Sequence, residues 1–238
     1  MKKTLIAVLG LAASLAGVQG QVFTGNFTFG TGGNVTSFVY NGAPATNVTV
    51  SALTKNGVTS TSSSGNFRGS NWALDAGSAT LTGSIDASKY FEFSLTPSVG
   101  FTLNISSFTF GVGRSGTGPR SFQWRSSLDS FAAPISGYTT VHAALNQSSG
   151  VLTYAADATT SATNNTLTFP TPNYQNLAGV TFRFYGYNAE AAGGTGGLEG
   201  NFMFTGEAVS AVPEPSTWAL IGLGSAFVLW RLRRKTVV

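Results

Sequence analysis

Apolar side chains recur at every second position along much of this chain. Phe23, Phe27 and Phe29 share one parity. Val48, Val50 and Ala52 alternate with Asn47, Thr49 and Ser51. Phe91, Phe93 and Leu95 alternate with Glu92 and Ser94, and Phe108, Phe110 and Val112 come next. Phe122 and Trp124 bracket Gln123, and Leu167 and Phe169 form a shorter pair. Val180, Phe182 and Phe184 alternate with Thr181, Arg183 and Tyr185, and Phe202 and Phe204 close the series. A period of two predicts strands with one buried and one exposed face. Turn residues punctuate them at Gly30 to Gly33, Asn41-Gly42, Asn56-Gly57, Gly113 to Pro119 and Gly193 to Gly197. No long amphipathic helix is predicted, only a short helical turn within Leu128 to Ile135. Region 56–85 reads as loop-rich, with Trp72 inside it expected to pack. No fixed repeat suggests a solenoid. The expected fold is all-β: an antiparallel two-sheet β-sandwich, jelly-roll-like, with eight or nine strands.

Both ends break this pattern. Lys2-Lys3, the apolar run Leu5 to Leu15 and the small-residue exit Val18-Gln19-Gly20 have the anatomy of a secretory signal peptide. Cleavage is expected between Gly20 and Gln21. At the other end stand Pro213-Glu214-Pro215, an uncharged run from Ser216 to Trp230, and the basic cluster Arg231, Arg233, Arg234 and Lys235. The prolines fix an extended backbone. The apolar run predicts a single transmembrane helix, with the basic cluster on the cytoplasmic side. Its length of about 22 Å falls short of a hydrocarbon core of about 30 Å, which favours processing over permanent anchoring. The expected organisation is signal peptide 1–20, sandwich 21–208, linker 209–215, membrane segment 216–230 and cytoplasmic tail 231–238.

The tail Val212-Pro-Glu-Pro-Ser-Thr-Trp-Ala-Leu220, its apolar run and its basic end resemble the PEP-CTERM sorting signal of Gram-negative bacteria. The resemblance implies recognition and removal of the tail by an exosortase, a membrane peptidase. The stretch 75–206 is similar to a recurrent passenger of such proteins. It carries that likeness in Tyr90 to Pro97, Ser107 to Phe110, Arg114 to Phe131, Phe182 to Tyr187 and Gly200 to Gly206. The likeness implies a jelly-roll-like sandwich similar in outline to carbohydrate-binding modules, and carries no activity with it. Related closing strands often hold an Asp-Asn pair where this chain has Glu199-Gly200-Asn201, which departs from any metal role there.

Charge changes the picture once it is located. The formal net charge is +4. Two positive residues lie in the signal peptide and four in the terminal cluster. The seven that remain between Gln21 and Val212 face eight acids, so the passenger sits near −1 with its charges scattered. That excludes nucleic acid as a partner. Cysteine is absent, which excludes a disulfide framework, a thiolate zinc site and a Cys nucleophile. His142 is the one histidine, and no Gly-x-Ser-x-Gly elbow accompanies it. The passenger acids form no paired motif for glycoside hydrolysis. Gly111-Val-Gly113-Arg-Ser-Gly116 opens into a strand, not a helix, and reads as a hairpin loop. No Asp-x-Asp-x-Asp-Gly calcium loop is present.

No catalytic residue, metal or cofactor is therefore expected. The function expected is that of a non-catalytic exported protein of the cell surface or extracellular matrix, passing through an inner-membrane-anchored precursor. Its expected partners are the secretion machinery, signal peptidase and an exosortase. A carbohydrate-binding surface module is the alternative, with Trp72, Arg183, Tyr185 and Tyr187 as candidate contacts to extracellular polysaccharide. A secreted hydrolase is the third class.

Overall fold

The structure is a computed structural model that describes residues 20–30, 34–61, 64–75, 80–211 and 221–227. The chain divides into two units. One is Gly20–Val209; the other joins Met1–Gln19 with Ser210–Val238.

The first unit is built from antiparallel strands, as the alternation predicts. In chain order they are β1 (Gln21–Thr28), β2 (Ser37–Phe38), β3 (Val48–Val50), β4 (Leu53–Asn56), β5 (Thr59–Ser60), β6 (Asn66–Ser70), β7 (Tyr90–Pro97) and β8 (Phe101–Arg114). After them come β9 (Ser121–Ser126), β10 (Tyr138–Thr140), β11 (Leu145–Ser148), β12 (Val151–Tyr154), β13 (Thr160–Thr168), β14 (Val180–Tyr187) and β15 (Gly196–Ser210). One sheet runs β10-β13-β8-β15-β6-β5, with β1 also on β15. The other runs β11-β12-β9-β14-β7-β4-β2, with β3 also on β7. From β6 onward each strand crosses to the opposite sheet, except in the β11–β12 hairpin. The principal strands thus order as β6-β15-β8-β13 facing β7-β14-β9-β12, the interlocked Greek keys of a jelly roll.

Aromatic rings weld the two inner faces. Phe93 of β7 pairs with Phe182 of β14 in register. Its ring lies 5.7 Å from Phe108 and 5.2 Å from Phe202, both on the opposite sheet. Trp124 stacks on Phe202 at 5.1 Å. Every Phe singled out by alternation is buried. With few charges and no disulfide, the unit depends on this apolar burial.

The helical turn expected within 128–135 shrinks to a 3-10 turn at Ser127–Asp129. Ser130 and Phe131 then take φ of 59° and 61°, which ends it. Region 56–85 holds β5 and β6 as well as loop. Gln21 pairs with Ala208, so the first and last strands meet at one end of the sandwich.

In the second unit, residues 221–227 are helical, with Ile221, Leu223 and Phe227 exposed. Among the described residues no helix is long and apolar enough to cross a membrane. Pro213, Glu214, Pro215, Arg231, Arg233, Arg234, Lys235 and most of the expected span 216–230 lie outside the described residues. So does the expected signal peptide up to Gln19.

Candidate functional site

The four candidate sugar contacts do not form one site. Trp72 is fully buried. Its indole N–H donates to the carbonyls of Gly69 at 2.8 Å and Gly196 at 3.2 Å, and its ring lies 5.0 Å from Phe91. Gly186 of β14 leaves room for that ring, since a Cβ there would meet it at 3.2 Å. Trp72 is a core residue with its polar handle satisfied, and it offers no face to a ligand.

Arg183, Tyr185 and Tyr187 do share the outer face of β14, as alternation predicts. Neighbouring strands bring Glu92 and Arg125 opposite Arg183 and Gln123 opposite Tyr185. The Arg183 Nε–H donates to Glu92 Oε2 at 2.6 Å. Its guanidinium lies 4.0 Å from the Tyr90 ring centroid and 3.8 Å from that of Phe131, a double cation–π contact. Phe131 reaches this position through its left-handed backbone. The turn is held by the Arg125 Nη1, which donates to the carbonyls of Phe131 and Ala132, both at 2.8 Å. Tyr185 is 1% exposed, with Tyr90 at 5.7 Å and the Arg125 guanidinium at 5.7 Å from its ring. Burial raises the pKa of both Tyr185 and Tyr187. Arg125 thus lies over the Tyr185 ring, and the Arg183 guanidinium is already engaged by Glu92, Tyr90 and Phe131.

A second cluster gathers where β8 ends. Arg114 is fully buried and forks between two loops. Its Nη1 donates to Asp157 Oδ1 at 2.8 Å, and its Nη2 to Glu190 Oε1 at 2.9 Å and the Gly116 carbonyl at 2.6 Å. The hydrogen bond from Arg114 holds the Asp157 carboxyl below the usual range. Both carboxylates face one guanidinium, which ties the β8–β9, β12–β13 and β14–β15 connections together. His142 lies in a loop; its backbone N–H donates to Asn165 Oδ1 at 2.9 Å and its Nδ1 accepts from Ala144 N–H at 3.1 Å. Among the described residues no group of three His, Cys, Asp or Glu side chains could hold a metal ion.

The passenger thus ends in β15, and the segment beyond Ser210 carries the clearest chemistry in the chain. Residues 211–235 match the PEP-CTERM protein-sorting motif. The matched span takes in Pro213-Glu214-Pro215, the apolar run and the basic cluster through Lys235. A PEP-CTERM tail supports exosortase-dependent sorting of an exported chain. No curated protein and no solved structure matches this chain.

At the other end of the chain, Gly20 and Gln21 are described. Gly20 lies against Glu207, and a Cβ at Gly20 would meet the Glu207 carboxylate. Gln21 opens β1, and its side-chain Oε1 accepts a hydrogen bond from the Asn47 side-chain amide.

Proposed function

We propose that this chain is the precursor of a non-catalytic cell-surface or extracellular-matrix protein, trimmed at both ends during export. The observation that carries the reading is a PEP-CTERM tail joined to a self-contained all-β unit. In this reading residues 1–20 direct export and signal peptidase cuts between Gly20 and Gln21. Segment 216–230 holds the precursor in the inner membrane, with the basic cluster inside, and an exosortase recognises Pro213-Glu214-Pro215. Proline on each side of Glu214 keeps that recognition element extended and removes two backbone donors. The passenger then reaches the surface as a β-sandwich whose Arg114, Arg183 and Glu92 side chains are engaged in internal pairs.

Mass spectrometry of the exported protein tests the processing. A C-terminus within or before the sorting motif is expected, and an intact end at Val238 overturns it. Glu214→Ala should leave precursor in the inner membrane. Replacing the four basic residues together should instead impair orientation and retention. For the non-catalytic assignment, turnover in a broad hydrolase screen that is abolished by His142→Ala overturns the reading.

A further inference from the structure

A cleft of about 390 Å³ opens between the segment following β9 and the β13–β14 connection. That volume is in the range of small-molecule sites, about 300–1,000 Å³, and fits about one or two pyranose rings. Its apolar wall comes from Leu128, Pro134, Ile135, Pro170 and Tyr174. Its polar groups are Ser126, Asp129, Ser136 and Asn173.

The Asp129 carboxylate is held rigid from behind. Its Oδ1 accepts from the Ala132 N–H at 3.3 Å and its Oδ2 from the Ala133 N–H at 3.0 Å. Each oxygen keeps a further lone pair, so the group can accept from two adjacent hydroxyls at once. Ser126 Oγ and the Tyr174 hydroxyl lie 3.0 Å apart and both residues are buried. Only one hydroxyl hydrogen is used between them, so the other remains to donate. Among the described residues no cation lines the cleft. A carboxylate without a lining cation disfavours anionic ligands, while the accessible Leu128, Pro134 and Pro170 surfaces suit the C–H face of a sugar.

We propose that this cleft binds a neutral hexopyranose unit of an extracellular polysaccharide. Asp129 takes two vicinal hydroxyls, the Ser126–Tyr174 pair at the floor takes a third polar atom, and the leucine and proline walls pack against the ring. The site is separate from the outer face that bears Arg183 and Tyr185, and it does not depend on how the tail is processed.

The test uses the full chain in detergent, first on an array of neutral and uronic-acid oligosaccharides and then by calorimetry with the best neutral one. Asp129→Asn keeps an acceptor for the loop but removes the charge. Ala133→Phe fills the cleft from an exposed position. Each should weaken binding at least tenfold while a cooperative melt is retained. The proposal is overturned if no neutral oligosaccharide binds, if uronic-acid glycans are preferred, or if both folded variants bind as the parent does.

Discussion

Replacing Arg114 by Met would test how the loops at the end of β8 are held. The side chain is fully buried, and its three contacts lie at 2.6, 2.8 and 2.9 Å. Met matches the stem in length, so packing is largely retained while the charge goes. Breaking a buried ion pair by removing one partner costs about 3–5 kcal/mol, because the other charge is left uncompensated. Here the partners are less enclosed: Asp157 is 41% exposed and Glu190 16%. Water can rehydrate Asp157 well and Glu190 poorly, which brings the expected cost to about 2–4 kcal/mol. In a domain of this size that is a fall in Tm of roughly 4–16 °C. Urea unfolding followed by tryptophan fluorescence reads it directly. The acid limb supplies a second reading. Arg114 lowers the Asp157 pKa in the folded state from 3.8. The associated stability is present above pH 3.8 and is lost as pH falls through the folded value. Arg114→Met should remove that part of the acid slope. A loss under about 1 kcal/mol, with the acid limb unchanged, would refute the clamp.

Other expectations concern the core. Phe93→Ala removes a ring in contact with Phe108, Phe182 and Phe202 and should cost about 3–5 kcal/mol, read by the same unfolding curve. Val22→Ala, at a residue 78% exposed, should stay within about 0.5 kcal/mol. Lys55 points inward, its amine 4.1 Å from the Phe67 ring and 2.9 Å from Ser60 Oγ, and burial lowers its pKa from 10.5 to about 8. Between pH 8 and 10.5 the unfolded chain binds the extra proton, so stability should rise with pH there and level off above. Lys55→Met should remove that rise; identical pH profiles for the two proteins would refute it.

Alternation made the core legible because apolar parity survives wherever one face is buried. It places Phe91, Phe93, Phe182 and Phe184 inward, and all four are buried. The same parity runs on through Phe108, Phe110 and Val112 to Arg114, a signal that a charged residue points into the core and needs partners. Those partners lie 43 and 76 residues away, and nothing local in the sequence joins them. The hairpin β11–β12 escaped the pattern because β11 shows three exposed polar residues after Leu145. Its turn, Ser149-Gly150 with φ of 47° and 83°, was the available cue. Tyr185 is outward as alternation requires yet buried, since Tyr90 and Arg125 come from other strands to cover it. Trp72 packs, as expected of it within a loop-rich stretch, but the space it fills is set by Gly186, far along the chain, so its neighbours could not be read locally.

The place of β15 has a mechanical consequence. It is the strand that continues into the sorting tail, and it is interior to its sheet, with β8 on one edge and β6 and β1 on the other. A protein pulled by its C-terminus is loaded along this strand's axis. Tension then acts on the ladders in shear, and many hydrogen bonds resist together. An edge strand pulled at right angles would instead unzip, one bond after another. In the precursor proposed above, drag on a sandwich held by its tail would therefore be carried by the strand that is gripped on both edges.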